Sequence, residues 1–290
     1  MAKRKIKLDK SKRTKSTVTK NKRKLEGLTA QAGDSIHVGI DVHKKKYHLA
    51  VWKNGTPLAN WTMPHDNAKV AQMLEPARPA LQRVVYEAGP TGYALARTLA
   101  AAGLPVAVVA PGSTPRAVSK GNKSDRLDCR KLAEYSAKDM LKFVGIPTAE
   151  EDEQRQLIRT RDDQMKKRKR IMQQIKSFLL YNEIREPDGL ARWNKASVIA
   201  LHEMDLPDPL RFRLDELLSE LAYYTQALKR TEKQLAKYVA EHQEEIEILR
   251  SHPGVGEKTS RQFLAEVYQP HRFENSKQVV SYLGLGLVQK

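Results

Sequence analysis

The chain of 290 residues contains one cysteine, Cys129, and no uninterrupted apolar run long enough to cross a bilayer. One cysteine excludes an internal disulfide and a zinc site built from several cysteines. A membrane-spanning helix needs ~20 mostly apolar residues, so none is predicted. The basic start is not followed by an apolar segment, so we expect no signal peptide. These absences favour a cytoplasmic protein with no membrane partner, in which Cys129 is a filler rather than a nucleophile.

Acidic residues are also scarce relative to basic ones. The chain has 34 Asp and Glu against 52 Lys and Arg, a formal net charge of +18. Such an imbalance favours a polyanionic partner, and we prefer nucleic acid over an anionic membrane. Residues 1–34 form a basic tail, which we expect to be disordered when free. We interpret this tail as a nucleic-acid arm whose binding depends on salt, with a solvated, solubilising arm as the alternative.

Residues 35–147 alternate strand and helix signals, which predicts a mixed sheet with flanking helices. A strand from Ile36 to Ile40 alternates apolar residues with His37 and Gly39, and Asp41 follows it. Gly39 would let another segment approach the backbone closely. A basic turn, a return strand and a third strand come next. His43 and His48 are expected to be surface residues that could touch phosphate, as is His252 later in the chain.

Further along, a short buried strand ends at Glu87, and Thr91 is a candidate N-cap for the helix that follows. A strand covers residues 106–109. A basic loop then leads to a helix that begins at Asp125.

Residues 148–250 are predicted to be helical, because apolar residues recur every seven positions without strand signals. The two series contain Ile158, Met165, Met172 and Leu179, and then Leu214, Leu221, Leu228 and Leu235. Heptads of this length favour a coiled coil or a long helical hairpin. The first series includes a basic run, residues 166–170. That run is either a solvated helix face or a nucleic-acid contact.

Residues 251–290 begin with Pro-Gly-Val-Gly before an amphipathic helix, which resembles the turn of a helix-hairpin-helix element. Backbone N–H groups at such a turn can hold a phosphate, although the same letters also occur in ordinary loops. Taken over the whole chain, the candidate nucleic-acid-binding residues are Lys44, Lys45, Lys120, Lys123, Arg126, Lys166, Lys167, Arg168, Lys169, Arg170, Gly254, Gly256 and Lys258.

Four carboxylates stand where strands end or a helix begins, namely Asp41, Glu87, Asp125 and Asp128. If the two strands are parallel neighbours, Asp41 and Glu87 meet at one sheet edge, where open α/β sheets place their sites. Taken singly, Asp41 is expected to be an ordinary surface residue at the end of a strand. Asp125 and Asp128, taken singly, are expected to interact favourably with the N-terminus of their helix. Together they favour a catalytic site for Mg²⁺, or alternatively Mn²⁺, because clustered carboxylates repel one another without a cation.

The segments GIDVHKKKYHLAVW, YEAGPTGYALARTLAAAG and NKSDRLDCRKLAEY resemble the DEDD-type transposases of the insertion-sequence-110 family. The resemblance implies a RuvC-like domain with the ribonuclease H fold. It also implies that Asp41, Glu87, Asp125 and Asp128 are the catalytic metal ligands. HPGVGEKTSRQFLAEV and RFENSKQVVSYLGLGLV resemble the family's C-terminal transposase domain.

The resemblance further implies a recombinase guided by a structured non-coding RNA that pairs with donor and target DNA. Dimers joined through the helical region would assemble on DNA as tetramers, bringing the acidic site of one subunit to a nucleophilic serine of another. The sequence ends where the serine-bearing segment is expected, so impaired strand exchange is expected. We predict structural roles for Ser276, as a helix cap, and for Ser281, which is a distant candidate nucleophile.

This interpretation divides the chain into a tail (1–34), a RuvC-like domain (35–147), a coiled-coil region (148–250) and the start of a transposase domain (251–290). It places the protein in the bacterial cytoplasm with the nucleoid. Three alternatives stay open. They are a metal-dependent nuclease such as a junction resolvase, a non-catalytic nucleic-acid-binding scaffold, and an actin-like or sugar-kinase-like ATPase.

Overall fold

A computed structural model describes residues 28–111 and 125–285, with side chains from residue 128 onward in the second range. Most of the basic tail, together with Lys120, Lys123 and the last five residues, lies outside the described residues. The chain divides into two compact units, Met1–Ile146 and Pro147–Lys290.

The first unit is built on a six-stranded mixed sheet in the order β3-β2-β1-β4-β5-β6. Strand β1 pairs in parallel with β4, and β4 with β5, while the other pairs are antiparallel. This arrangement confirms the predicted ribonuclease H-like fold. The elements are β1 (Ile36–Val42), β2 (Lys46–Lys53), β3 (Thr56–Pro64), α1 (Asn67–Leu74), a 3-10 helix (Glu75–Ala80), β4 (Leu81–Glu87), α2 (Ala94–Ala101), β5 (Val106–Val109), α3 (Asp125–Ala137) and β6 (Phe143–Val144).

The two faces of the sheet are covered by different helices because side chains alternate along each strand. Ile36, Val38 and Ile40 of β1 pack in the core that includes residues of α1 and α2. Val85 of β4 belongs to a separate cluster with Leu132 of α3. Helix α3 therefore covers the face opposite to α1 and α2.

Gly39 sets how closely α3 approaches the sheet. A Cβ atom on this residue would lie 2.1 Å from the carbonyl oxygen of Cys129 and 2.6 Å from the backbone nitrogen of Ala133. Real Cβ atoms do not approach backbone atoms so closely. A glycine is therefore needed at this point of β1, as its place in the sequence suggested.

Two predictions made from the sequence were wrong at the edge of the sheet, namely the end of β1 and the exposure of His48. Strand β1 does not end before Asp41, because Asp41 and Val42 continue the antiparallel pairing with His48 and Tyr47. His48 is buried rather than at the surface, with Nδ1 2.7 Å from the hydroxyl oxygen of Thr62.

The start of α2 was also predicted wrongly. Thr91 does not cap the helix, which begins three residues later at Ala94 with no side-chain cap bond. Gly92 has a φ of +64°, so the chain makes a left-handed turn between Thr91 and the helix. Strand β6 was not predicted, because two residues are too short to show a periodic pattern.

The second unit consists of helices. Two of them are long and antiparallel, since Gln164 and Arg168 of one hydrogen-bond with Thr231 and Thr225 of the other. This is the long helical hairpin that the heptads allowed. The helices are α4 (Ala149–Tyr181), α5 (Lys195–His202), α6 (Asp208–Glu241), α7 (Gln243–Arg250), α8 (Glu257–Val267) and α9 (Ser276–Tyr282), with 3-10 turns at Leu190–Arg192 and Pro270–Arg272.

Local signals explain where these helices begin. Thr148 and Glu151 form a capping box at the start of α4, each side chain bonding the other residue's backbone N–H. Asn275, not Ser276, caps α9, because the Asn275 side chain accepts the N–H of Gln278. None of the described helices is long and apolar enough to cross a membrane.

Ion pairs fasten α8 to the hairpin. Glu232 of α6 lies 2.5 Å from the Nε of Arg161 on α4 and 3.2 Å from a guanidinium nitrogen of Arg261 on α8. Glu266 of α8 accepts hydrogen bonds from Arg155 and Arg159 of α4. Burial alone would raise the pKa of Glu232, but its bond from Arg161 and the two positive charges outweigh burial and lower it.

Substituting Gly39→Ala should destabilise the first unit by about 2 kcal/mol, the usual scale for overpacking a core. The new methyl group must displace the backbone of α3 at Cys129 and Ala133. Urea unfolding followed by circular dichroism measures the change. Gly89→Ala is the matched control, because the nearest atom to its Cβ would be 3.9 Å away. Equal stability of the two variants would contradict the close approach of α3.

Substituting Glu232→Gln should lower the free energy of unfolding of the second unit by about 2 kcal/mol. This is below the range for fully buried pairs because Glu232 is partly exposed. Its folded-state pKa is lowered, so the stabilisation is present above the unfolded pKa, ~4.3, and is lost as the pH falls through the folded-state value. Urea unfolding of both proteins at neutral and acidic pH tests this.

The difference between wild type and Glu232→Gln should therefore shrink as the pH is lowered. Asp163→Asn is the control, since it removes an exposed pair with Lys167 of α4. Such pairs contribute about 0–1 kcal/mol. A loss for Glu232→Gln no larger than the control's would mean that the buried pairs do not hold α8.

Candidate metal site and nucleic-acid surfaces

Asp41 and Glu87 lie at the same edge of the sheet and on the same face. The last parallel pair between β1 and β4 joins Ile40 to Tyr86, so the next position along each strand is Asp41 and Glu87. Ile40 and Tyr86 face the core under α1 and α2. Alternation therefore turns both carboxylates toward the face that α3 covers.

The first turn of α3 is brought to Asp41 by the packing at Gly39. That contact places Cys129 against β1, two residues before Asp41. Burial, with the negative charge of Asp41 as the second cause, raises the pKa of the Cys129 thiol to about 11. Asp128, the half-buried neighbour of Cys129, thus begins the same stretch of helix, and Asp125 opens it one turn earlier. The side chains of Asp125 and Arg126 lie outside the described residues.

His43 contacts Asp41 directly, with its Nε2 3.0 Å from Asp41 Oδ2. Its own backbone oxygen lies 2.8 Å from Nδ1 of His65, which follows β3. Sequence reasoning treated His43 as a surface residue. The signal it missed is the spacing: residues two apart on an extended segment share a face, so His43 follows Asp41 to the same side.

The residues at this edge have the donor chemistry that Mg²⁺ and Mn²⁺ prefer, which is carboxylate oxygen. Three separate elements carry them: β1, β4 and α3. Among the side chains that the structure describes, no three acidic, histidine or cysteine groups stand close enough together to hold a metal ion. The fourth carboxylate of the predicted set, Asp125, lies outside that description.

The candidate nucleic-acid residues differ in what they contact. Lys44 and Lys45 are exposed in the turn between β1 and β2. In the basic run of α4, Lys166, Lys169 and Arg170 are exposed. Two members of the run are engaged within the hairpin: Lys167 lies 2.7 Å from Asp163, and Arg168 bonds to Thr225.

The predicted hairpin turn lies between α7 and α8. Gly254 has a φ of +81°, which favours glycine, and Gly256 precedes the first residue of α8. Lys258 is exposed in the first turn, beside Glu257. The helix start has no side-chain cap bond, so its backbone N–H groups are available to an acceptor.

The first unit is of the ribonuclease H-like class, with carboxylates at the edge of a mixed sheet. Residues 38–181 match the family model for DEDD transposases of the IS110 type. Residues 246–290 match the model described as transposase, IS116/IS110/IS902 family. The chain belongs to the IS110 family of transposases, which confirms the family resemblance found in its motifs.

Three relatives are similar over most of the chain. A transposase for insertion sequence element IS1111A from Coxiella burnetii is 28% identical over 191 residues, 65% of this chain and 52% of its own length. A putative transposase, y4qE, from Sinorhizobium fredii is 28% identical over 86% of this chain and 62% of its own length. A transposase for element IS1533 from Leptospira borgpetersenii is 26% identical over 83% of this chain and 72% of its own length.

The chain thus spans about half to three quarters of the length of these relatives.

Proposed function

We propose that this chain is a DNA transposase whose metal-dependent site comprises Asp41, Glu87, Asp125 and Asp128. The observation that carries the proposal is the shared edge and face of Asp41 and Glu87, to which Gly39 admits the first turn of α3. Family membership supports the same assignment. The named relatives are transposases of insertion sequences.

In the proposed mechanism, the two strand carboxylates are fixed by the sheet, and the helix carboxylates are fixed by the packing of α3. Divalent cations held there would stabilise the attacking and leaving oxygens of a phosphodiester displacement. His43 would orient the Asp41 carboxylate through its Nε2 contact. Lys44 and Lys45, exposed beside this edge, would contact the phosphates of the substrate strand.

We infer further that the partners are donor and target DNA and a structured guide RNA. The net charge of +18 supports a polyanionic partner. The family resemblance also suggests that dimers form tetramers on DNA and that the acidic site cooperates with a serine nucleophile from another subunit. The turn at Gly254 and Gly256, with Lys258, would hold a phosphate at the start of α8.

Asp41→Asn and Asp128→Asn should each abolish Mg²⁺-dependent strand cleavage or exchange while leaving nucleic-acid binding within about threefold, because charge-driven binding depends on the whole surface. Thermal unfolding with and without Mn²⁺ gives a readout that does not need activity: the metal should stabilise wild type and not the variants. Asp139→Asn is the control, since Asp139 is highly exposed and pairs with Arg83 in the same unit.

Loss of the metal effect in Asp139→Asn, or its retention in Asp41→Asn, would contradict the assignment. Metal-dependent cutting of branched DNA that needs no guide RNA would favour the junction-resolvase alternative instead. Unchanged behaviour of both aspartate variants would favour a binding scaffold.

The guide-RNA proposal is tested by purifying the protein from cells that carry its whole genetic element and sequencing the nucleic acid that stays bound at moderately high salt. We expect one defined RNA from the flank of the coding region, because specific pairing and packing survive salt better than phosphate contacts do. A random mixture of cellular RNA and DNA would contradict it.

A further inference from the structure

One face of α4 carries no acidic residue over its second half. From Gln164 to Asn182 the sequence contains six Lys or Arg and no Asp or Glu. The basic run, residues 166–170, supplies five of these six charges. The end of this run and the residues that follow it, 170–182, have no part in the proposed metal site.

That stretch forms one side of an open groove of about 470 Å³, and α6 forms the other. The groove residues on α4 recur every three or four positions, so they make one continuous stripe. The stripe is about 16 Å long at ~1.5 Å per residue. It contains Arg170, Gln173, Gln174, Ser177, Phe178 and Tyr181.

Across the groove, α6 contributes Arg213 and Leu217. The lining therefore holds two guanidinium groups, several amides and hydroxyls, and no carboxylate. Tyr181 is 87% exposed. A side chain that large is not placed there to fill the core of the hairpin.

One polar lining side chain, Asn182, donates to the carbonyl oxygen of Phe178, but most of the others are not used inside the protein. Within the part of the chain that the structure describes, Arg170, Gln173, Gln174, Ser177, Tyr181 and Arg213 make no side-chain hydrogen bond or ion pair. Other arginines of this unit are engaged. Arg211, two residues before Arg213, donates to Asp215 and to the backbone carbonyl of Leu201 at the end of α5, and Arg261 donates to Glu232.

We propose that this groove binds an unpaired strand of nucleic acid, with Arg170 and Arg213 on phosphates, Tyr181 stacked on a base, and the two glutamines hydrogen-bonding to base edges. Proteins commonly bind single strands in positively charged grooves, where the backbone phosphates meet basic side chains and the bases stack on exposed aromatic rings. The amides of Gln173 and Gln174 both donate and accept, as base edges require. The inference deepens the proposed function, on which it rests, by assigning the strand a place on the helical unit.

The size of the groove argues for unpaired nucleotides. Its volume of about 470 Å³ lies in the range of sites that hold small molecules, which suits single nucleotides. Lys166 and Lys169 extend the positive charge by one turn toward the N-terminus of α4. A strand leaving the groove in that direction would meet them.

The full-length chain is tested by fluorescence anisotropy with short, unstructured, labelled strands of RNA and DNA and with a duplex of the same sequence. Moderately high salt suppresses charge-driven binding by the rest of the surface. Arg170→Gln with Arg213→Gln should weaken single-strand binding about tenfold or more, because both phosphate contacts are lost. Tyr181→Leu should weaken it about fivefold or more, while Tyr181→Phe keeps the ring and should bind normally.

The matched control is Lys229→Gln with Arg230→Gln, which removes the same charge from exposed positions on α6 about three turns beyond Leu217. It should weaken binding by less than about threefold, the effect of charge alone at this salt. Circular dichroism checks that each variant keeps its helices. Tighter binding of RNA or of DNA identifies which strand occupies the groove, and either result supports the proposal.

Three results would overturn it. One is equal weakening by the groove and control variants. Another is a duplex that binds as tightly as the single strands and is indifferent to Tyr181→Leu. The third is a change of oligomeric state in Tyr181→Leu by light scattering, with strand binding unchanged, which would assign the face and its exposed neighbours Leu180 and Phe212 to a second copy of the chain. These variants retain Asp41, so the outcome is separable from the test of the metal site.

Discussion

The arrangement at the edge of the sheet depends on one contact, the backbone of α3 against the backbone of β1 at Gly39. Because no Cβ stands between them, the carbonyl of Cys129 and the amide of Ala133 lie directly on the strand. Asp41 is two residues further along that strand, and Asp128 precedes Cys129. In the proposed metal site, a larger separation would move Asp128 away from the strand acids. That site would then depend on a residue that contributes no ligand.

The second unit shows a different use of charge. Arginines at the packed surfaces of α4 and α8 are matched by Glu232 and Glu266, which keep lowered pKa values despite partial burial. Arg272 is held in the same way by π faces and carbonyls, stacked on Tyr268 and donating to the end of α8. Among the residues that the structure describes, Arg170 of the α4 stripe and Arg213 of α6 have no such partner. The arginines that make no ion pair within the protein are therefore the ones that can bind an external phosphate.

The strand and helix patterns that build both units could be predicted from the sequence. Alternation in Ile36 to Ile40 and the heptads of Leu214 to Leu235 reflect burial, which dominates their patterns, and both were confirmed. The wrong predictions concern side chains whose burial or orientation is set by a residue that is distant in the sequence. His48 is buried with its Nδ1 against Thr62 of β3, and Arg168 turns inward to Thr225 of α6. The groove between α4 and α6 was invisible for the same reason, since Arg213 joins it only through the packing of the hairpin.

The proposed metal site requires a strongly basic chain to position several carboxylates, and the two features would support each other. If the carboxylates on β1, β4 and α3 are gathered in that site they repel one another, so their assembly would cost free energy unless cations were bound nearby. The surrounding lysines, including Lys44 and Lys45 in the adjoining turn, lower that cost through their positive field and attract the same phosphates that the metal would contact. A neutral protein with the same four acids would have to rely on the cations alone. Under the proposed function, the excess of positive charge and the carboxylates at the sheet edge would therefore act together on a polyanionic substrate.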